Sequence, residues 1–107
     1  LAHRDARRVF SAQTARALRE LLASVVTEGT GHEAAPTEGT AAGKTGTAQT
    51  GQFAAGKELK NYWFAGFYPA RNPRYTIVVL QDGQTGPSRT SAAIFARVCD
   101  ALDAAGE

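Results

Sequence analysis

The residues best suited to chemistry stand together between Gly43 and Gln49, where Lys44, Thr45 and Thr47 are interleaved with Gly43 and Gly46. A lysine following a glycine and followed by a threonine first raises phosphate binding. That motif needs Gly, four residues, then Gly-Lys-Ser/Thr, so that backbone N–H groups wrap the phosphates. Counting back from Gly43 puts Glu38 where the first glycine belongs, and Gly39 leaves only three intervening residues. No hydrophobic strand precedes the stretch, and the residues after it are rich in Thr and Gly rather than helical, so no helix N-terminus faces an anion. The phosphate reading fails on spacing and on context. Cys99 is the single cysteine, so an internal disulfide is impossible and the redox compartment stays open. It falls in an apolar helical pattern and shares no motif with His3 or His32, which makes it a buried structural thiol rather than a nucleophile.

The elements that position these residues follow from periodicity. Ala15, Leu18, Leu22 and Val25 recur at helical steps, with Leu21 and Val26 widening the stripe and Ser11 as N-cap, which predicts a helix over about 11–27. Glycines and Pro36 between residues 28 and 39 end it in a polar loop. Three strands are expected next. Residues 41–49 are small, Thr-rich and interrupted by two glycines, a composition for a strand that another backbone or a ligand approaches closely. Residues 62–68 are aromatic and apolar at both alternate sets, as in a sheet covered on both faces. Residues 75–81 are β-branched and come after a turn around Pro73. The stretch 50–60 reads as an exposed connection. Ile94, Phe95, Val98, Cys99 and Leu102 form the apolar face of a closing helix over about 91–104, capped by Thr90 or Ser91. Short connections favour antiparallel pairing, giving an α/β chain of the α+β type.

Composition bounds the rest. A chain of 107 residues with 43% hydrophobic and 21% charged content supports one small folded unit. A formal charge of +2 implies no nucleic acid, and the basic stretch from His3 to Arg8 reads as a solvated helix approach. No run of about 18 apolar residues is present to span a membrane. The chain starts at Leu1 and contains no Met, which reads as a piece of something longer.

The stretch from Ala42 to Gln49, with Gly29 to Gly31 upstream and Trp63 to Pro69 downstream, resembles the class B penicillin-binding proteins in order and spacing. The β-branched strand from Tyr75 to Leu80 and the segment Ala93 to Phe95 extend the likeness over nearly the whole chain. The resemblance implies the C-terminal part of a peptidoglycan D,D-transpeptidase domain, which cross-links cell-wall peptides through a serine acyl-enzyme and binds β-lactams. Lys44 then supplies positive potential beside the substrate carboxylate and hydrogen-bonds the serine of the family's Ser-x-Asn motif. Thr45 and Thr47 offer hydroxyls to that carboxylate. The Thr47 backbone N–H forms half of an oxyanion hole, and Gly46 keeps the strand clear of side chains.

The same resemblance implies missing parts. The nucleophile motif is Ser-x-x-Lys, yet Ser11, Ser24, Ser88 and Ser91 are followed at that spacing by Thr14, Thr27, Ser91 and Ile94. Two residues beyond those serines stand Gln13, Val26, Thr90 and Ala93, so Ser-x-Asn is absent as well. The piece alone is therefore expected to be inactive. The parent is expected outside the cytoplasmic membrane, tethered by an N-terminal segment, with peptidoglycan stem peptides as partners, no nucleic acid, and no metal or organic cofactor. The first helix is assigned to a helical lobe. The Lys44 strand is expected to be bare on the side away from residues 62–68, driving self-association into a dimer. A noncatalytic peptidoglycan-binding or interaction module on the same fold is the alternative from another class.

Overall fold

The structure, a computed structural model, describes residues 5–106. Helix α1 (Ala12–Thr27) leads through a single 3-10 turn at His32–Ala34 into three strands, β1 (Ala42–Ala54), β2 (Lys57–Tyr68) and β3 (Tyr75–Gln84), and helix α2 (Ser91–Ala104) closes the chain. The strands form one antiparallel sheet in the order β1-β2-β3.

Each helix starts on a hydroxyl cap. Ser11 accepts a hydrogen bond from the Thr14 N–H at 3.1 Å and Thr90 accepts one from Ala93 at 3.1 Å, satisfying first-turn donors that have no helical partner. Gly31 sits at the exit of α1, its N–H donating to the Val25 carbonyl at 3.0 Å. A Cβ there would lie 3.0 Å from the Val25 side chain and 3.3 Å from the Phe64 ring, so the small residue lets the chain turn tightly onto the sheet.

Phe64 is the centre of the core. Its ring packs against Phe95 of α2 at 4.6 Å between centroids with a 54° tilt, an edge-leaning arrangement that aromatic quadrupoles favour. Val26, Ala34, Ala41, Tyr68, Ala92 and Cys99 complete the buried cluster, with Ile77 and Val79 partly buried against it. Val26 places the end of α1 in the same cluster as α2. Val26 is the one fully buried residue of α1, so the helix meets this core through its C-terminal end. Burial raises the Cys99 thiol to about 12, with Asp100 and Asp103 adding to the effect, so it carries almost no thiolate at neutral pH.

Sheet alternation leaves the other face open. Register partners share a face, so Ala65 and Trp63 of β2 lie with Val78 and Leu80 of β3 opposite to Phe64. Trp63, Val78 and Leu80 are 38%, 59% and 49% exposed. The expectation of a sheet covered on both faces is met on one face only among the described residues.

The stretch 50–60, expected as an exposed loop between strands, is exposed over residues 51–57 but is itself paired. It is a hairpin arm, with Ala54 paired to Lys57 across a two-residue turn at Ala55 and Gly56. Both turn residues have positive φ, 52° and 81°, the signature of a primed turn whose twist matches antiparallel strands. A bulge between Gln49 and Gln52 absorbs Thr50 and Gly51. The Thr50 hydroxyl donates to the Leu59 carbonyl and the Gly51 N–H donates to Glu58 Oε2 at 3.1 Å, so the irregular step is hydrogen-bonded. β3 likewise runs past residue 81, because Asn61 Oδ1 accepts from the Gly83 N–H at 2.9 Å where a second register shift falls.

Gly43 and Gly66 face one another across β1 and β2. A Cβ on Gly66 would lie 2.2 Å from the Ala42 carbonyl oxygen, and one on Gly43 would lie 2.5 Å from the Phe64 ring. Overpacking of this kind costs about 1–3 kcal/mol. Gly66→Ala is therefore expected to lower unfolding stability by at least about 2 kcal/mol, since its nearest neighbour is backbone. Urea denaturation measures this, and a variant within about 0.5 kcal/mol of the parent, the range of a neutral surface change, contradicts the packing described.

Candidate functional site

β1 is an edge strand among the described residues, and the four residues singled out by sequence all lie on it. Lys44 pairs with Ala65 and Gly46 with Trp63, on the open face. Thr45 pairs with Phe64 and Thr47 with Tyr62, on the helix face. Alternation would therefore separate the lysine from the threonines. Lys44 nevertheless reaches its neighbour Thr45: Lys44 Nζ donates to the Thr45 carbonyl at 3.1 Å and lies 3.4 Å from Thr45 Oγ1. An ammonium and a hydroxyl, both able to donate to an anion, thus stand together on this strand.

Thr45, Gly46 and Thr47 also form one wall of a cavity of about 370 Å³. The other walls include Thr30, Glu33 of the 3-10 turn, Tyr62 of β2, and Thr90 at the start of α2. Sequence reasoning missed these residues, because they meet Thr45 only through the fold. Ser91 is buried at 4% exposure and its hydroxyl donates to Gln81 Oε1 at 2.6 Å, while Gln81 Nε2 donates to the Arg89 carbonyl at 2.8 Å. The rear of the cavity is thus fixed.

The approach to β1 is held from α2. Asp100 Oδ1 accepts from the Thr37 N–H at 2.8 Å and its Oδ2 from the Thr37 hydroxyl at 3.0 Å. The Tyr68 hydroxyl, in a buried residue of β2, donates to Asp103 Oδ2 at 2.6 Å and lies 2.9 Å from the Glu38 carbonyl. Burial first, and the Asp103 carboxylate second, push this phenol well above its ordinary value, so it remains a neutral donor. Gly39 follows with φ 69°, a conformation open to glycine, and a Cβ there would lie 3.0 Å from the Tyr68 hydroxyl.

Ser11, Ser24 and Ser91 all bond to groups other than a lysine. Ser11 bonds within the α1 cap, Ser24 donates to the Leu21 carbonyl at 2.7 Å, and Ser91 is taken by Gln81. Among the described residues no group of three or more His, Cys, Asp or Glu is placed to hold a metal ion. No helix among them is long and apolar enough to cross a membrane.

An aromatic β2, a lysine and two threonines on the neighbouring β1, and a closing helix against the sheet are the features to be set against known proteins. Residues 2–100 match the penicillin binding protein transpeptidase domain, and the chain belongs to that family. It is 38% identical to penicillin-binding protein PbpB of Mycolicibacterium smegmatis over 89% of its length, and 39% identical to a probable peptidoglycan D,D-transpeptidase PenA of Neisseria meningitidis over 74%. It spans 17% and 14% of those two relatives. Among solved structures it superposes on the transpeptidase domain of Burkholderia pseudomallei penicillin-binding protein 3 with a TM-score of 0.76 and 36% identity, covering 92% of this chain and 32% of that one. The fold is a partial transpeptidase-domain fold.

Proposed function

We propose that this chain supplies the carboxylate and oxyanion wall of a serine D,D-transpeptidase that cross-links peptidoglycan. The observation that carries the reading is the Lys44 ammonium, 3.1 Å from the Thr45 carbonyl and 3.4 Å from its hydroxyl at the open edge of β1, beside a cavity lined by Thr45 and Thr47. The nucleophilic serine comes from elsewhere in the complete protein. Its oxygen attacks the carbonyl carbon of the peptide bond before a terminal D-alanine, and its proton passes to a basic partner. The C–N bond breaks, and the D-alanine amine leaves carrying that proton. An acceptor amine then attacks the acyl-serine, the new amide forms, and a proton returns to the serine oxygen.

Within this sequence of steps Lys44 and the hydroxyls of Thr45 and Thr47 hold the terminal carboxylate. The Thr47 N–H faces the oxygen on which charge develops, and Gly46 lets the substrate backbone lie close to the strand. Positive potential fixed in place before reaction stabilises the developing charge without reorganisation. Such a protein acts on the outer side of the cytoplasmic membrane, tethered through a segment outside this chain. Fluorescent penicillin applied to the complete transpeptidase domain tests the reading: a covalent band that survives boiling is expected. Its absence from a folded domain favours a noncatalytic peptidoglycan-binding role for the same strand.

The isolated chain is also expected to self-associate. Both β1 and β3 have an outer edge unpaired among the described residues, and open edges accept further strands. Val78 and Leu80 stand exposed beside the β3 edge. The Lys44 strand is thus not the sole candidate edge for pairing. A two-fold dimer is the simplest closed assembly. Gel filtration with light scattering at about 100 μM is expected to give twice the chain mass, whereas a strictly monomeric mass with cooperative unfolding contradicts this.

A further inference from the structure

The cavity behind β1 is lined by a single ionisable acid, Glu33, together with Thr45 and Thr47, and no Lys, Arg or His is among the lining residues. The Lys44 ammonium lies outside that lining and sits against Thr45. The Glu33 carboxylate is held in position, because the Thr90 hydroxyl donates to its Oε2 at 3.1 Å. Thr90 is itself fixed as the N-cap of α2, accepting from the Ala93 N–H at 3.1 Å. Tyr62 and Thr30 line the same cavity.

We propose that this cavity is a specificity subsite, in which Glu33 is the counter-charge for a cationic substituent carried next to the recognised carboxylate. The inference rests on the reading of β1 as the carboxylate wall. A ligand whose carboxylate meets Lys44, Thr45 and Thr47 directs the group on the neighbouring carbon into this space. A volume of about 370 Å³ accommodates such a group. There a cation pairs with Glu33, while an anion meets an acid and no base. Glu33 is exposed, so the pairing is screened by solvent and salt, and its expected size is a few-fold rather than orders of magnitude.

The test uses the complete transpeptidase domain containing this chain and two cephalosporins with one acyl side chain. One carries a pyridiniummethyl group next to the carboxylate and the other an acetoxymethyl group. The ratio of their acylation rate constants is compared between the native domain and Glu33→Gln, which cancels the intrinsic reactivity of the two compounds. Glu33→Gln is expected to lower the ratio by about three- to fivefold, through the pyridinium compound. In the native domain, raising the salt from about 0.05 to 0.5 M is expected to lower the same ratio, since the Debye length shortens; this arm needs no variant to fold. A ratio unchanged by both treatments, or two rate constants that fall together on substitution, overturns the subsite. No acylation by either compound overturns the reading of β1 itself, and the subsite with it.

Discussion

Replacing Lys44 with Ala in the complete transpeptidase domain is expected to slow acylation by penicillin by on the order of 10² to 10³, the range for removing one preorganised electrostatic contact. That corresponds to about 3–4 kcal/mol of barrier. The cause is local. Lys44 provides the ammonium in contact with the Thr45 carbonyl and hydroxyl, and no basic residue lines the adjoining cavity to replace it. Folding should change little, because Lys44 is exposed and its side chain bonds to its sequence neighbour. Stopped-flow acylation together with a denaturation curve separates the two effects. A folded variant that acylates within about threefold of the parent contradicts the assignment, because threefold is less than one tenfold step of barrier energy.

The second large effect is an expected null result. The 107-residue chain by itself should form no covalent adduct with fluorescent penicillin, because its serines are committed to other partners or lack an activating one. Ser11 caps α1, Ser24 bonds the Leu21 carbonyl and Ser91 bonds Gln81. The remaining thiol nucleophile, Cys99, is buried and raised to about 12. A hydroxyl without a base is a weak nucleophile. A specific band on a denaturing gel that survives boiling contradicts this, and would locate an activated residue that the fold does not show.

How much of this is legible before folding depends on the residue. The closing helix is readable because Ile94, Phe95, Val98, Cys99 and Leu102 fall on one face and Thr90 precedes them. The structure puts the helix at Ser91–Ala104 with Thr90 as its cap. The antiparallel three-stranded sheet is readable from short connections. The hairpin arm is not, because Gly51, Gln52, Gly56 and Lys57 have low strand propensity and are held by a bulge and a primed turn rather than by burial. The stripe on α1 predicts a core-facing helix side, yet Leu18 and Leu21 are 42% and 63% exposed and only Val26 is fully buried. Periodicity gives a face, and only tertiary packing decides how much of it is covered.

The candidate site divides in the same way. The segment from Lys44 to Thr47 stands out in the sequence because its four residues are adjacent. Its separation onto two faces requires the register with Ala65, Phe64, Trp63 and Tyr62. Glu33 and Thr90 are 57 residues apart and meet by one hydrogen bond. Tyr68 and Asp103 are separated by 35 residues. No local pattern signals such pairs, since each depends on α2 folding back over the loop that leads into β1.

Whether β1 holds the substrate is decided by a crystal structure of the complete transpeptidase domain acylated by benzylpenicillin. The penicilloyl carboxylate is expected within hydrogen-bond distance, about 2.6–3.2 Å, of the Thr45 and Thr47 hydroxyls, with Lys44 Nζ beside it and the acyl carbonyl oxygen on the Thr47 N–H. An acyl-enzyme whose carboxylate and carbonyl are held by residues outside β1, with Lys44 to Thr47 facing only solvent, contradicts that role.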